Sequence, residues 1–574
     1  MAKRYHSDVF IEAENFDKKG GWVIDTQFVE EMGSPYLLAH GLGKPVENAD
    51  TEVTFPGRGE YHAWARTKNW VPGEWEAPGR FKLQVNGHKL SNVLGTEKGW
   101  SWEYAGKVAI KDNKVSVALC DLTGFEGRCD AVYFSRDKKA PPDYKDKLAS
   151  WKRKKLNQTG SPEKIERFDL VIVGGGIAGC GAAIAAAEQD MDVALLQDRP
   201  VLGGNASEEI RVHTEGITAK GKRILEMINT THWPNGSPKA KHDQKKRHKN
   251  LQQYDNISLF LNWRAYEVKE KNNYITAVNA CHTKSSKRKK FEAPYFADCT
   301  GDGWIGYWAG AEYMYGREAK YKYNESWEKH GDLWSPEESD NRVMGASVLW
   351  RSIETEQPVK FPEVPWAMDV AKDYEATGGT WKWEFSRDKL HQIKDAEKIR
   401  DHMFRAIYGA FYNAKQKADN SNMKLEWISY LVGKRESRRL LGDYVYTFND
   451  MKKSRRFADT VAEETRNVDV HYQQFLKDQS KVDFLSEALF YPVNRYYIPY
   501  RTLYSRNIDN LFMAGRNFSC SHIGLGGPRV MNTTGQMGIA IGYAAFLCSK
   551  YGINPRGIYQ DYLNELTGLI EETN

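Results

Sequence analysis

The stretch DLVIVGGGIAGCGAAIAAAEQDMDVALLQD, residues 169–198, constrains the fold of this chain more than any other. Leu170 to Val173 is a short apolar run rich in β-branched residues, as a buried parallel strand requires. Gly174, Gly176 and Gly179 follow with the spacing G-x-G-x-x-G. The first glycine permits a tight turn, the second lets the backbone approach a pyrophosphate, and the third lets the next helix pack close to the sheet. Cys180 to Glu188 is alanine-rich and reads as that helix, its N-terminal N–H groups and dipole turned to the phosphates. Met191 to Leu196 supplies a second strand. This order predicts a dinucleotide site. One residue departs from the pattern: Gln197 stands where such sites place an acid against a ribose.

The rest of the chain divides around this unit. Its 574 residues suggest about three or four domains. Residues 1–137 read as all-β, with VFIEAENF, ADTEVTF, GEYHAWARTK, GRFKLQVNG, KVSVALCDL and DAVYFSRD as short strands between Gly, Pro and Asn turns. Residues 138–165 are lysine-rich, polar and proline-containing, and read as a linker. From there on the pattern is α/β, with a further strand at Ile257 to Leu261.

Charge and cysteine usage exclude several classes. Net charge is only +6, and the basic runs at 151–155, 241–250 and 284–290 lack interleaved stacking aromatics, so they read as solvated loops and no nucleic-acid partner is expected. Seven cysteines stand singly, without a C-x-x-C pair, which argues against a structural zinc site or a disulfide framework. No run of eighteen apolar residues offers a transmembrane helix. The opening MAKRYHSDVF has no apolar core of a secretory signal, which fits a soluble chain, cytoplasmic as written and periplasmic if a leader has been removed. Tryptophan is abundant, at eighteen residues; this surplus either fills cores or offers faces for stacking sugars.

Further glycine-bearing blocks follow the first: RPVLGGNASEEIRV, FADCTGDGWIGYWAGAEY and IDNLFMAGRNFSCSHIGLGGPRVMNTTGQMGIAIGYAAFL, joined by GGTWKWE (378–384) and RESRRLLGDY (435–444). Together they resemble bacterial FAD-dependent oxidoreductases of the glutathione-reductase-like fold, over roughly residues 167–570. The resemblance implies an α/β fold: an FAD-binding Rossmann domain of glutathione-reductase type with an inserted α+β substrate domain, preceded by an all-β sandwich. The FAD domain would take residues 166–311 and 490–574, and the substrate domain 312–489. It implies FAD held at Gly174, Gly176, Ile177, Ala178 and Gly179, with Gln197, Asp198 and Arg199 near the ribose. An amide still bonds ribose hydroxyls, so Gln197 does not exclude FAD, and strand alternation turns Asp198 the other way. Gly203, Gly204, Asn205 and Ala206 would line the pyrophosphate and ribityl chain, with Ser207 as a further donor. Ala265 would read the adenine edge. Thr300, Gly301 and Asp302 would return to the phosphates, and Gly515 and Arg516 would flank the ribityl chain. A helix beginning at Asn532, Thr533, Thr534 and Gly535 would point at the flavin O2 edge, where a helix N-terminus stabilises the charge of reduced flavin. With no second strand–GxGxxG–helix in the chain, no separate nicotinamide site is expected.

The N-terminal unit resembles galactose-binding-like carbohydrate-binding modules, carried by IEAENF, GEYHAWAR, KLQVNG and CDAVYFS. By that resemblance Glu12, Glu14 and Asp130 are candidate ligands for a structural Ca²⁺, since alternation places Glu12 and Glu14 on one strand face.

The expected activity is oxidation of a CH–OH group on a sugar or glycoside by hydride transfer to FAD. Its electrons would pass to oxygen, a quinone or a soluble carrier, all equally compatible with the motifs. A polysaccharide lyase or hydrolase using flavin transiently, and an RNA-modifying flavoprotein, are the competing readings. Hydroxyl oxidation needs a base. His522 is the candidate, because it follows the Ala-Gly-Arg motif and precedes the expected flavin-facing helix; a histidine that only packs there is the alternative. Arg529 and Asn532 would orient substrate or stabilise its charge. Trp381 and Trp383 are expected on one face as a stacking platform beside Glu384, and Arg435 with Glu436 as an ion-paired turn or substrate contact.

Overall fold

In the computed structural model, which describes residues 8–160, 162 and 164–574, the strand Leu170–Val173 is the middle of a five-stranded parallel sheet. The order is Ile257–Leu261, Val193–Gln197, Leu170–Val173, Tyr295–Asp298, Leu511–Met513. The strand order reverses beside Leu170–Val173, and doubly wound sheets open their ligand crevice at such a point. The first residues, Met1 to Ser7, lie outside the described set.

The helix after the glycine turn runs Ile177–Ala187, three residues earlier than its alanine run suggests, with Gly176 as N-cap. Gly179 sits in its first turn, where a Cβ would collide with Gly174 O. Every residue of this helix is buried, because the C-terminal helix Met531–Tyr551 packs directly on it. The two approach backbone to backbone: side chains at Gly538 and Gly542 would strike Ala178 O and Ala182 O. Glycine and alanine here serve close packing, which brings the start of the C-terminal helix over the mouth of the sheet.

Against one face of this sheet, over Val171, Val173, Ala194 and Leu196, packs a four-stranded layer in the order Lys164–Arg167, Arg288–Glu292, Tyr274–His282, Trp263–Lys271. The inserted region is built on the 20-residue helix Ala396–Lys415, packed among Trp350, Trp366, Trp383, Phe385 and Phe484. Much of the tryptophan surplus is therefore core. The basic run 241–250 is not a loop. It lies within the helix Ala240–Leu251, and its buried Arg247 donates to Ile228 O (2.7 Å) and Leu202 O (3.1 Å), bracing the turn at Gly203.

Residues 9–135 form the strands of two four-stranded sheets and one three-stranded sheet around a core that includes Phe16, Trp22, Phe81, Val117 and Phe134. Two expectations fail here for one reason. The segment 138–165 is not merely a linker, because it contains the helix Lys145–Lys155, packed on the sandwich. Its Trp151 meets Phe10 and Tyr133 edge-on, at 5.0 and 5.2 Å. Its Lys152 enters the acid cluster and donates to Glu12 Oε2 (3.0 Å), Asp130 Oδ1 (2.8 Å) and Ser34 Oγ (2.9 Å). The positions read as Ca²⁺ ligands thus already surround a cation, the ammonium of the chain's own Lys152. Burial pushes Glu14 well above the usual carboxylate range, with the neighbouring Glu12 adding to the effect.

Lys152→Met should destabilise the protein by about 3–5 kcal/mol, because it strands Asp130 and Glu12 in the interior with one partner fewer. Denaturant midpoints would show the loss; a midpoint shared with the wild type would mean the acids are not held by this lysine.

Candidate functional site

The crevice at the switch point is one continuous cleft of about 460 Å³, running from the ends of the parallel strands to the start of the C-terminal helix. Its middle is built from backbone. Gly174 holds φ at +108°, a conformation that L side chains rarely adopt, and a Cβ there would strike Cys299 O. Gly203 N–H donates to Gly175 O at 2.6 Å, tying the two glycine turns together. Gly176, by contrast, has open space around its missing Cβ. No side chain caps the helix that starts there, so its first N–H groups face the cleft. These are the conditions an anionic pyrophosphate requires, and they sit where the glycine spacing predicts.

On one side of this loop lies Gln197. Its Oε1 accepts from Gly175 N–H at 2.8 Å, and its Nε2 is buried without a partner. The amide therefore braces the glycine turn and keeps one N–H donor unused. Asp198 also borders the cleft, because it lies past the end of the strand and alternation no longer governs it. Arg199 lines the wall and bonds Glu209 at 2.6 Å, while Ala265 forms part of the floor. Gly301, Asp302, Gly515 and Arg516 close the far side. Asp302 accepts from Lys434 Nζ (2.7 Å), Ser437 Oγ (2.7 Å) and Arg516 Nη2 (2.9 Å). Burial alone would raise its carboxyl, but Lys434 and Arg516 hold it well below the usual range. Thr300 donates to Asp298 Oδ1 at 2.7 Å and so secures this turn.

Other expected cofactor residues act indirectly. Gly204 and Asn205 reach the cleft, and Asn205 Nδ2 donates to Lys434 O at 3.0 Å. Ala206 and Ser207 are fully buried behind them. At the C-terminal helix, Val530, Met531 and Thr534 face the cleft. Thr533 instead donates to Glu464 (2.5 Å), and a Cβ at Gly535 would press on Leu225. Asn532 turns away as well, its Nδ2 donating to Gly216 O at 2.8 Å, so it orders the 215–216 segment rather than facing substrate.

The end of the cleft beside that helix start is strongly polar. His471 Nδ1 lies 2.7 Å from Glu384 Oε2, and His471 Nε2 lies 3.1 Å from Asp469 Oδ1. Asp469 Oδ1 accepts no aligned hydrogen bond, although it is buried. Arg529 and Arg466 each donate to Asp469 Oδ2 at 3.0 Å. Burial would raise Asp469, yet Arg529 foremost, then His471 and Arg466, hold it far below its ordinary value. Glu384 accepts from Gly345 N–H (2.6 Å) and Ser486 Oγ (2.8 Å) and pairs with Arg435 at 3.2 Å. It too overcomes burial and is pulled down to about 2, chiefly by Arg435 and His471. His213, paired with Glu215 at 3.2 Å, lines the same end. Trp381 forms the wall, its ring 5.1 Å from His471.

Several sequence expectations change here. His522 is not at the cleft: it is fully buried behind it, its Nδ1 2.8 Å from Glu436 Oε2. Glu436 does not pair with Arg435; it is neutralised by Arg439 and accepts from Met344 N–H at 2.8 Å. Adjacent side chains on an extended backbone point apart. Trp383 does not share a face with Trp381. A turn closes between them, Trp383 N–H donating to Thr380 O (3.1 Å), and Trp383 stacks on Phe484 in the core at 5.3 Å. The residues missed were His471, Asp469, Arg466, Lys434, His213 and Glu215. A local signal existed for two of them: in VDVHYQ, Asp469 and His471 alternate onto one face of a strand.

Burial, helped by Arg439 and Arg317, pushes the His522 ring down to about 3, so it is neutral in the fold. The unfolded chain binds its proton near the ordinary value of 6.5. Between those values the unfolded state holds more protons, so stability is lost as pH falls from 6.5 toward 3, at about 1.4 kcal/mol per pH unit from this group. His522→Gln should flatten that slope. Unfolding free energies at pH 7 and pH 5 test it, and an unchanged pH dependence would refute it.

Comparison with known proteins bears on the cleft. The family model described as FAD dependent oxidoreductase matches residues 169–567, well over half of the chain. Among curated proteins, an iron-sulfur subunit of the CoB--CoM heterodisulfide reductase of Methanopyrus kandleri is 26% identical over 128 residues, which cover 22% of this chain and 19% of that protein. The chain thus matches about a fifth of that relative's length. Among solved structures, a geranylgeranyl bacteriochlorophyll reductase-like protein from Thermoplasma acidophilum is 11% identical, with coverage of 71% of this chain and 84% of that one and a TM-score of 0.30. E. coli quinol fumarate reductase is 12% identical over 68% and 71%, at 0.27. A family 35 carbohydrate binding module from Clostridium thermocellum is 17% identical over 22% and 97%, at 0.18. The open cradle at Gly176 and the unpartnered Gln197 Nε2 suit a dinucleotide, and the family match begins one residue before the strand that leads into them. The chain belongs to the FAD-dependent oxidoreductase family, and FAD is its cofactor.

Proposed function

We propose that this protein oxidises a CH–OH group of a sugar or glycoside, with His471 as the base that takes the hydroxyl proton. One observation carries the reading: at the cleft wall His471 is held by Glu384 on Nδ1, at 2.7 Å, and its Nε2 stands 3.1 Å from the Asp469 carboxylate. A substrate hydroxyl that reaches His471 Nε2 gives its proton to that nitrogen, and the Asp469 carboxylate beside it stabilises the imidazolium that results.

FAD, when bound, supplies the hydride acceptor. Gly174, Gly176, Gln197, Asp302 and Arg516 would hold it. Glu384, accepting from His471 Nδ1–H, fixes the tautomer that leaves Nε2 as proton acceptor. Asp469 stays ionised between Arg529 and Arg466, where its charge favours the protonated ring of His471. Arg435 donates to Trp381 O at 3.0 Å and steadies the indole, whose face suits the C–H face of a pyranose.

Anaerobic titration of the purified holoprotein with mono- and oligosaccharides tests this. A substrate sugar should bleach the visible flavin absorbance. Sugar cleavage without bleaching, or no response to any sugar, overturns the proposal.

A further inference from the structure

The N-terminal sandwich borders the same cleft as the glycine loops. Gln27 and Phe28, in the turn after its strand Val23–Asp25, line the cleft together with Gln197, Asp198 and Ala265. This is the end where dinucleotide folds meet the ribose next to the adenine. Two bonds fasten the turn there. Thr26 Oγ1 donates to Asp198 Oδ2 at 3.1 Å, and Arg264 Nη1 donates to Thr26 O at 2.8 Å. Gln27 secures a second wall: its Nε2 donates to Tyr430 O (3.0 Å), and its Oε1 accepts from Val432 N–H (2.9 Å). Leu431 and Val432 line the cleft too.

The sandwich is also fastened to the helix Ala396–Lys415. Arg128 donates to Glu397 (2.6 Å) and Asp401 (3.0 Å), Lys68 to Glu397 (3.0 Å), and Arg400 to Asp25. His40 bridges Glu126 (2.9 Å) and Ile428 O (2.9 Å). Arg128, Arg400 and Asp25 are fully buried, and withdrawing the sandwich would leave their charges unpaired. A module tethered only by a flexible linker would need none of these bonds.

We infer that the sandwich is a structural wall of the cofactor site, and that its segment 26–28 retains the adenosine half of the dinucleotide. Resting on the assignment of the cleft to FAD, this gives the N-terminal unit a task that does not depend on carbohydrate. Phe28 contributes an apolar surface for a purine, and Gln27 holds the 430–432 loop against it.

Hydrogen exchange on the full-length apoprotein tests the inference, with FAD, ADP and FMN as probes. Peptides over 174–180 report binding itself, and FMN is used at a concentration that protects them. FAD and ADP should slow exchange at 23–32, and FMN should not. If FAD protects 174–180 but not 23–32, the wall is refuted while the cofactor site stands. If FAD protects neither, the assignment of the cleft falls instead. Protection of 23–32 by FMN as strong as by ADP also refutes the wall. As a second arm, full-length Gln27→Ala should weaken FAD and ADP alike by about tenfold or more while leaving FMN affinity unchanged. Unaltered FAD affinity, or equal weakening of FMN, overturns the proposal.

Discussion

His471→Ala should lower the rate of anaerobic flavin reduction by about 10²–10⁴-fold while FAD remains bound, as measured by stopped-flow absorbance with a sugar that bleaches the wild-type flavin. The size follows from what is removed. A carboxylate on Nδ1 sets the orientation of this ring, and its other nitrogen stands beside Asp469 at the cleft wall. Glu384→Gln should give a smaller loss, because the amide still fills the space but no longer selects the tautomer by charge. His522→Gln should leave the reduction rate close to normal, since His522 is buried behind the cleft against Glu436 and touches no surface that a substrate reaches. If His471→Ala is reduced at the wild-type rate, or His522→Gln is the slow variant, the placement of the base is wrong.

Gly176→Val should abolish tight FAD binding and leave the fold intact, with affinity lowered by roughly 100-fold or more, equivalent to about 2.7 kcal/mol. The protein itself has room for a Cβ at Gly176, whose φ is −70°. A valine there instead fills the space a pyrophosphate requires and keeps it from the helix N-terminus. Gly174→Ala makes the useful contrast: its Cβ would strike Cys299 O from a backbone at φ +108°, so it should lower the unfolding midpoint as well as FAD affinity. Flavin fluorescence and thermal melts on both variants separate the two effects. A Gly176→Val protein that keeps its flavin would remove the pyrophosphate from this loop.

The two predictions also mark where sequence reading succeeds. The glycines at 174, 176 and 179 were legible because each answers a local backbone demand, and such demands show within a few residues. The start of the helix Met531–Tyr551 was legible for the same reason, although of the four residues expected to face the flavin only Thr534 lines the cleft. His522 misled because nearness to the Ala-Gly-Arg motif along the chain says nothing about which side of the turn a side chain takes. Trp383 misled because alternation holds only in extended chain, and a turn intervenes after Trp381.

The acid cluster at Glu12, Glu14 and Asp130 shows the same limit from another side. Its residue types suggested Ca²⁺, and the structure places an ammonium there instead. That the cation is Lys152, 140 positions from Glu12, depended on how the following helix packs.

By itself the sequence determined the dinucleotide crossover and the strand-rich character of residues 8–137, because strand alternation, glycine conformation and helix N-termini act over a few neighbouring residues; FAD followed from the resemblance that the ordered motifs carry. Only the tertiary structure assembled the polar end of the cleft and its walls. His471 is held by Glu384, 87 positions away, and Thr26 reaches Asp198 across 172. Contacts at such separations come from packing between distant elements, and no local pattern in the chain records them.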